Sequence, residues 1–194
     1  MRGPGRTAPG VVEKPRPKVE EVGIVLERIW APWRAQYVKA GAGSSSSGTN
    51  CFLCDALVGS DDHGSLLAWR RPHSMVVLNR FPYNNGHLLV APRVHKGEIE
   101  VLTGADLLEP IETIRLMITV LDRMLRPQGY NVGLNLGKAA GAGLPGHLHW
   151  HVVPRWDGDT NFMPVLGNTK VIVESLSEFH ERLVEGIRAA YGPA

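Results

Sequence analysis

His147-Leu148-His149-Trp150-His151-Val152-Val153-Pro154 sets three histidines against alternating bulky apolar residues. In a strand, successive side chains point to opposite faces, so His147, His149 and His151 share one face and Leu148, Trp150 and Val152 the other. On a helix the same spacing would scatter the imidazoles over more than half the circumference, and Pro154 would follow badly. The stretch therefore predicts a half-buried strand with its apolar side toward a core and its histidines on an exposed face. Three imidazoles in a row on such a face serve no packing purpose. They point to chemistry.

Working outward, 194 residues with 43% hydrophobic content suit one domain with a tail. Residues 1–22 are rich in Gly, Pro, Arg and Lys, which predicts a disordered basic tail; residues 23–194 are expected to form a single domain. The net charge of +2 argues against a general nucleic-acid surface. No apolar run approaches the length of a membrane span and no hydrophobic signal region opens the chain, so a cytoplasmic protein without a membrane partner is expected. In such a reducing compartment Cys51 and Cys54 suggest metal or redox chemistry rather than a structural disulfide. Trp30 and Trp33 should pack on the domain or on a second subunit, and the serine-rich run from Gly41 to Asn50 reads as a flexible loop.

Ser74 to Asn79 and Gly86 to Pro92 are two β-prone runs around a Pro82-Tyr83-Asn84-Asn85-Gly86 turn, which predicts an antiparallel hairpin. From Gly104 to Arg126, Leu107, Ile111, Ile114, Ile118, Leu121 and Leu125 keep helical spacing, with Pro127 and Gly129 as the stop. Tyr130 to Leu136 is a further strand and Thr169 to Glu174 another short one. Ser175 with Glu178 is a capping-box signature that opens a helix through Leu176, Phe179, Leu183, Ile187 and Tyr191. Strands in adjacent hairpins, one long crossing helix and a C-terminal helix make an α+β domain on an antiparallel sheet.

Gly141-Ala142-Gly143-Leu144-Pro145-Gly146 satisfies GxGxxG as a string, but a strand follows it where a dinucleotide fold needs a helix. Its local use is to bring backbone N–H groups near an anion, with Lys138 adding charge. Cys51-x-x-Cys54 has structural-zinc spacing but supplies only half a site, and two buried or idle thiols are the alternative; a redox role would want the pair at a helix start in a βαβ setting, which the sequence does not suggest. If zinc binds, His95 and His147 are the candidate partners. The triad itself admits two chemistries. It can chelate a catalytic metal, although same-face neighbours about 7 Å apart along a strand converge poorly on one ion. Alternatively, an imidazole held through Nδ1–H can attack phosphorus with Nε2.

The His147-x-His149-x-His151 pattern with apolar spacers resembles the signature of the histidine triad superfamily of nucleotide hydrolases and transferases. Asn79-Arg80-Phe81-Pro82 with Gly86-His87-Leu88-Leu89-Val90-Ala91-Pro92 resembles the family's nucleotide-pocket hairpin, and Asn135-x-Gly137 its phosphate-side strand. Trp30-Ala31-Pro32-Trp33-Arg34, Gly141-Ala142-Gly143 and the run from Pro154 to Met163 are similar to the bacterial diadenosine tetraphosphate phosphorylase branch. Many members carry Gln four residues before the first histidine, where this chain has Gly143.

The resemblance implies a histidine-triad fold and makes His149 a nucleophile on the α-phosphorus of a dinucleoside polyphosphate. His151 and Asn135 would serve the phosphate, Asn79 the ribose and His87 the nucleoside pocket. Backbone at Gly143 and Gly146, with Lys138, would add phosphate contacts. The acceptor would be inorganic phosphate, with water (a hydrolase or phosphoramidase) or a non-catalytic nucleotide binder as alternatives. It also implies structural zinc on Cys51, Cys54, His95 and His147, a divalent cation such as magnesium with the nucleotide, and a homodimer joined through its sheets.

Overall fold

The computed structural model describes residues 51–160, 172 and 174–192. The expectations for residues 1–50, including Trp30 and Trp33, and most of the strand expected from Thr169 to Glu174 lie outside the described residues.

The elements run α1 (Phe52–Val58), α2 (Asp62–Ser65), β1 (Leu67–Arg70), β2 (Ser74–Leu78), β3 (Leu88–Pro92), α3 (Ala105–Leu125), β4 (Gly129–Leu134), β5 (Trp150–Arg155) and α4 (Leu176–Tyr191). The five strands form one antiparallel sheet in the order β1-β2-β3-β5-β4. The hairpin closes with Leu78 opposite Leu88. Gly86 ends its turn at φ +73°, and a Cβ there would meet the Leu125 side chain at 2.7 Å, so conformation and space both call for glycine.

Residues opposite one another in an antiparallel sheet share a face. Val77, Leu89, His151 and Gly133 therefore form one cross-sheet row, while Val76, Val90, Trp150 and Leu134 face the other way. The second face lies under α3: Ser74, in phase with Val76, bonds the Thr113 hydroxyl at 2.9 Å. Helix α4 closes the same layer, with His180 donating to the Leu67 carbonyl at 2.9 Å and Tyr191 stacked on Trp69. Phe179, Leu183 and Ile187 are buried there, and the Ser175 hydroxyl accepts from the Glu178 N–H as the capping signature predicts.

Four expectations need correction. The histidine stretch pairs with β3 only from Trp150, so His147 and His149 precede the strand proper; the Leu148 N–H bonds the Lys96 carbonyl instead. Nor are the histidines on an exposed face: His147 is 0% and His149 8% exposed, because a cavity and the cysteine segment cover that side. Helix α3 buries Pro110, Thr113, Ile114, Met117, Val120 and Leu121, while Ile111 is half exposed. Its inward face is thus rotated by about one position from the expected stripe, since Thr113 turns inward to meet Ser74. Finally, Cys51 and Cys54 do stand at a helix start: Cys51 is the N-cap of α1 and its sulfur accepts from the Cys54 N–H. No βαβ unit accompanies it, because β1 to β3 run antiparallel.

Candidate nucleotide and metal site

Strand alternation and the loop before β5 bring the three histidines to different neighbours. His147 is wholly buried, and its Nε2 lies 2.8 Å from the Pro92 carbonyl oxygen. A carbonyl only accepts, so the proton sits on Nε2 and the Nδ1 lone pair points away. It points at sulfur: Cys51 Sγ is 3.2 Å and Cys54 Sγ 3.5 Å from His147 Nδ1. His95 completes the group, its Nδ1 3.2 Å from Cys54 Sγ.

One ligand atom from each of Cys51, Cys54, His95 and His147 falls within 4.8 Å of every other, and among the described residues this is the sole such cluster. Tetrahedral bonds of about 2.0–2.3 Å put ligand atoms roughly 3.3–3.8 Å apart, close to the sulfur–nitrogen distances here. The cluster can hold a metal ion. Burial, the Cys51 bond and nearby negative charge push the Cys54 thiol up to about 11, so binding a metal as thiolate releases a proton.

His149 presents the reverse arrangement. Its Nδ1 donates to the His147 carbonyl at 2.9 Å, which leaves Nε2 with the lone pair. Burial lowers its pKa below 6.5, so the ring is neutral at pH 7. Burial likewise lowers that of His147, against the raising effect of its bond to Pro92.

His151 takes its proton state from a chain of donors. The Tyr83 N–H donates to His87 Nδ1 at 3.0 Å, so His87 carries its proton on Nε2. That nitrogen lies 2.9 Å from His151 Nδ1 and donates to it, which puts the His151 proton on Nε2. The Asn135 amide nitrogen is 3.4 Å from the same Nε2. Two donors then face one space, an arrangement that suits an anionic oxygen between them.

A cavity of about 1010 Å³ opens over this face, lined by His149, His151, Asn79, Gly141 and Gly143 at the polar end. Phe52, Asp55 and Ala56 of α1, Leu66 at the end of α2, and Val77 and Leu89 of the sheet line it as well, together with Arg80, Phe81 and Tyr83. Asn79 accepts from the Phe81 N–H through Oδ1 and lays its amide nitrogen over His87. His87 is 0% exposed and lies under the cavity rather than in its wall. Of the remaining candidates, Lys138 sits in a short 3₁₀ turn outside the lining and Gly146 lies against His95, 3.5 Å from where its Cβ would be. The α1 residues Phe52, Asp55 and Ala56 were not expected at the site, although their i, i+3, i+4 spacing is the signal of a shared helical face. Nor was the Tyr83 N–H, a backbone group that no residue type betrays.

The HIT domain model matches residues 64–158. AP-4-A phosphorylase of Mycobacterium tuberculosis is 42% identical over 158 residues, spanning 79% of this chain and 80% of that protein. Among solved structures, a Zn-bound histidine triad family protein from Mycobacterium smegmatis aligns with a TM-score of 0.53 at 22% identity, covering 64% of this chain and 84% of the other. A hypothetical histidine triad nucleotide-binding protein from Sulfolobus tokodaii aligns at 0.54 and 20% identity, covering 73% and 97%. At these identities the two structures speak for the fold alone. The chain belongs to the histidine triad (HIT) family, and its α+β sheet with a long crossing helix and a C-terminal helix is the fold of that family.

Proposed function

We propose that this protein cleaves diadenosine tetraphosphate by phosphorolysis, giving ATP and ADP through a nucleotidyl-histidine on His149. The observation that carries the reading is the His149 ring: neutral, held through Nδ1 by a main-chain carbonyl, with Nε2 beside a cavity large enough for a nucleotide. The substrate class follows the M. tuberculosis relative.

In the first step the Nε2 lone pair forms a bond to the α-phosphorus, and the bond from that phosphorus to the bridging oxygen breaks, releasing ATP. Nε2–H of His151 and the Asn135 amide donate to phosphate oxygens as charge develops. In the second step an oxygen of inorganic phosphate attacks the same phosphorus, frees His149 and leaves as ADP. Gly143 supports phosphate as acceptor: where many members carry glutamine, this chain has no side chain in the cavity lining, which leaves space for a second anion. Backbone there and at Gly141, both in the cavity lining, supplies further phosphate contacts, whereas Gly146 and Lys138 lie outside it. Asn79 holds the ribose hydroxyls, with His87 behind it.

The two thiols and two imidazoles suit zinc, which would tie α1 to the loop that carries His147. A magnesium ion would enter with the polyphosphate, whose phosphate oxygens suit a small hard cation. Among the described residues β4 is an edge strand with Asn131, Val132 and Gly133 exposed, and continuing the sheet there into a second copy would make a homodimer.

Replacing His149 by Ala is expected to lower turnover at least about a thousandfold while nucleotide binding stays within a few fold. Denatured wild-type enzyme trapped during turnover should carry one AMP as an acid-labile adduct. Turnover retained by the variant would refute the covalent route, and a wild type without adduct or turnover would leave a binding protein.

A further inference from the structure

Asp159 lies just beyond β5, and its carboxylate is saturated with donors. Its Oδ2 accepts from Arg155 Nε at 2.6 Å, the Asn84 amide nitrogen at 2.8 Å and the Trp156 N–H at 3.1 Å, and its Oδ1 accepts from Arg155 Nη2 at 2.7 Å. The carboxylate is 8% exposed. Asn84 stands at the tip of the turn between β2 and β3, some seventy residues away in sequence. Its amide also donates to the Pro154 carbonyl at 3.2 Å, so both bonds reach the end of β5. Its side-chain oxygen accepts from the Asn85 N–H, and its own carbonyl accepts from the His87 N–H at 3.3 Å. The turn tip is therefore tied to the strand that carries His151.

The residue before Asn84 is Tyr83, whose N–H donates to His87 Nδ1. We propose that Asn84 and Asp159 form a latch that, acting through the Tyr83 amide and His87, holds the proton of His151 on Nε2. A neutral imidazole bears one proton, and neither histidine prefers a side strongly when unrestrained. With the Tyr83 N–H in place, His87 must accept at Nδ1 and donate from Nε2 to His151. If the turn drifts, His87 can accept at Nε2, and His151 then donates from Nδ1 and turns a lone pair toward the phosphate side. A donor becomes an acceptor where an anion must bind. Asn84 and Asp159 are positioning residues, since neither lines the cavity. The Asp159 carboxylate thus serves by fixing a backbone N–H rather than by touching the site.

What the Nε2 proton does in turnover rests on the phosphorolytic reading; where the proton sits does not. Imidazole nitrogen-15 correlation spectra of the free protein at pH 8 separate the two tautomers. Wild type should show His87 and His151 protonated on Nε2, and Asn84→Ala and Asp159→Ala should bring in the Nδ1 form of His151. With diadenosine tetraphosphate, kcat should fall about tenfold or more while KM stays within about threefold. If Asp159→Ala does not fold, Asn84→Ala leaves the Arg155–Asp159 pair intact and gives the same reading. A wild-type His151 protonated on Nδ1, or folded variants whose tautomers match wild type, overturns the latch. A shifted tautomer in a protein that turns over no dinucleoside polyphosphate keeps the latch and removes the substrate assignment.

Discussion

Each imidazole of the triad has its proton placed by a neighbour that can only donate or only accept. The Pro92 carbonyl turns His147 Nδ1 toward the cysteines, the His147 carbonyl frees His149 Nε2, and the Tyr83 amide acts through His87 on His151. Three identical residue types thereby acquire three properties. The grouping of His147 with Cys51, Cys54 and His95 was legible through the resemblance to zinc-containing members of the family, which order a CxxC pair, a histidine after the hairpin and the first triad histidine in this way. The tautomers were not, since they depend on main-chain atoms whose positions no residue type encodes. Asp159 shows the same limit. Bonding to Arg155 first, then the Trp156 N–H, the Arg155 charge and Asn84, holds its carboxyl at about 2, below the ordinary 3.8. A depressed carboxylate stabilises the folded state above the unfolded value and loses that contribution as pH falls toward the folded one. Denaturant midpoints of wild type and Asp159→Asn should therefore differ from pH 7 down to about 4 and converge as the pH approaches 2. A gap that stays constant from pH 5 to 2 would contradict the bond pattern.

At the scale of elements, the hairpin, the long helix and the terminal helix could be read because each carries a clean period or a capping signature. Helices α1 and α2 and strand β1 were not read: at seven, four and four residues each offers at most one repeat of its period, as Phe52, Asp55 and Ala56 do in α1. What α1 contributes comes from its first turn. The N-cap position, where a side chain meets the free N–H groups, is filled by Cys51, and Cys54 sits one turn on. The helix start thus presents two sulfurs on one side, facing His147 and His95. Elemental analysis of protein purified without added metal should find zinc near one per chain, and Cys51→Ser should bring it close to zero. Wild-type protein as poor in zinc as the variant would end the zinc assignment and leave Cys51 as a helix cap alone.

For the whole molecule, the sheet divides the labour between its faces. One is sealed by α3 and α4 through Ser74, Trp69 and Trp150; the other carries the row Val77–Leu89–His151 as a cavity floor. The half-buried strand expected from alternation is correct about the sealed face. It fails on the other, because the cover there is assembled from α1 and from loops distant in sequence. No helix among the described residues is long and apolar enough to cross a membrane. In the proposed reaction inorganic phosphate, not water, takes the nucleotide from His149. Incubation with diadenosine tetraphosphate and labelled inorganic phosphate tests it directly. Label is expected in the β-phosphate of ADP, with one ADP for each ATP formed. Accumulation of AMP with ADP unlabelled would contradict it.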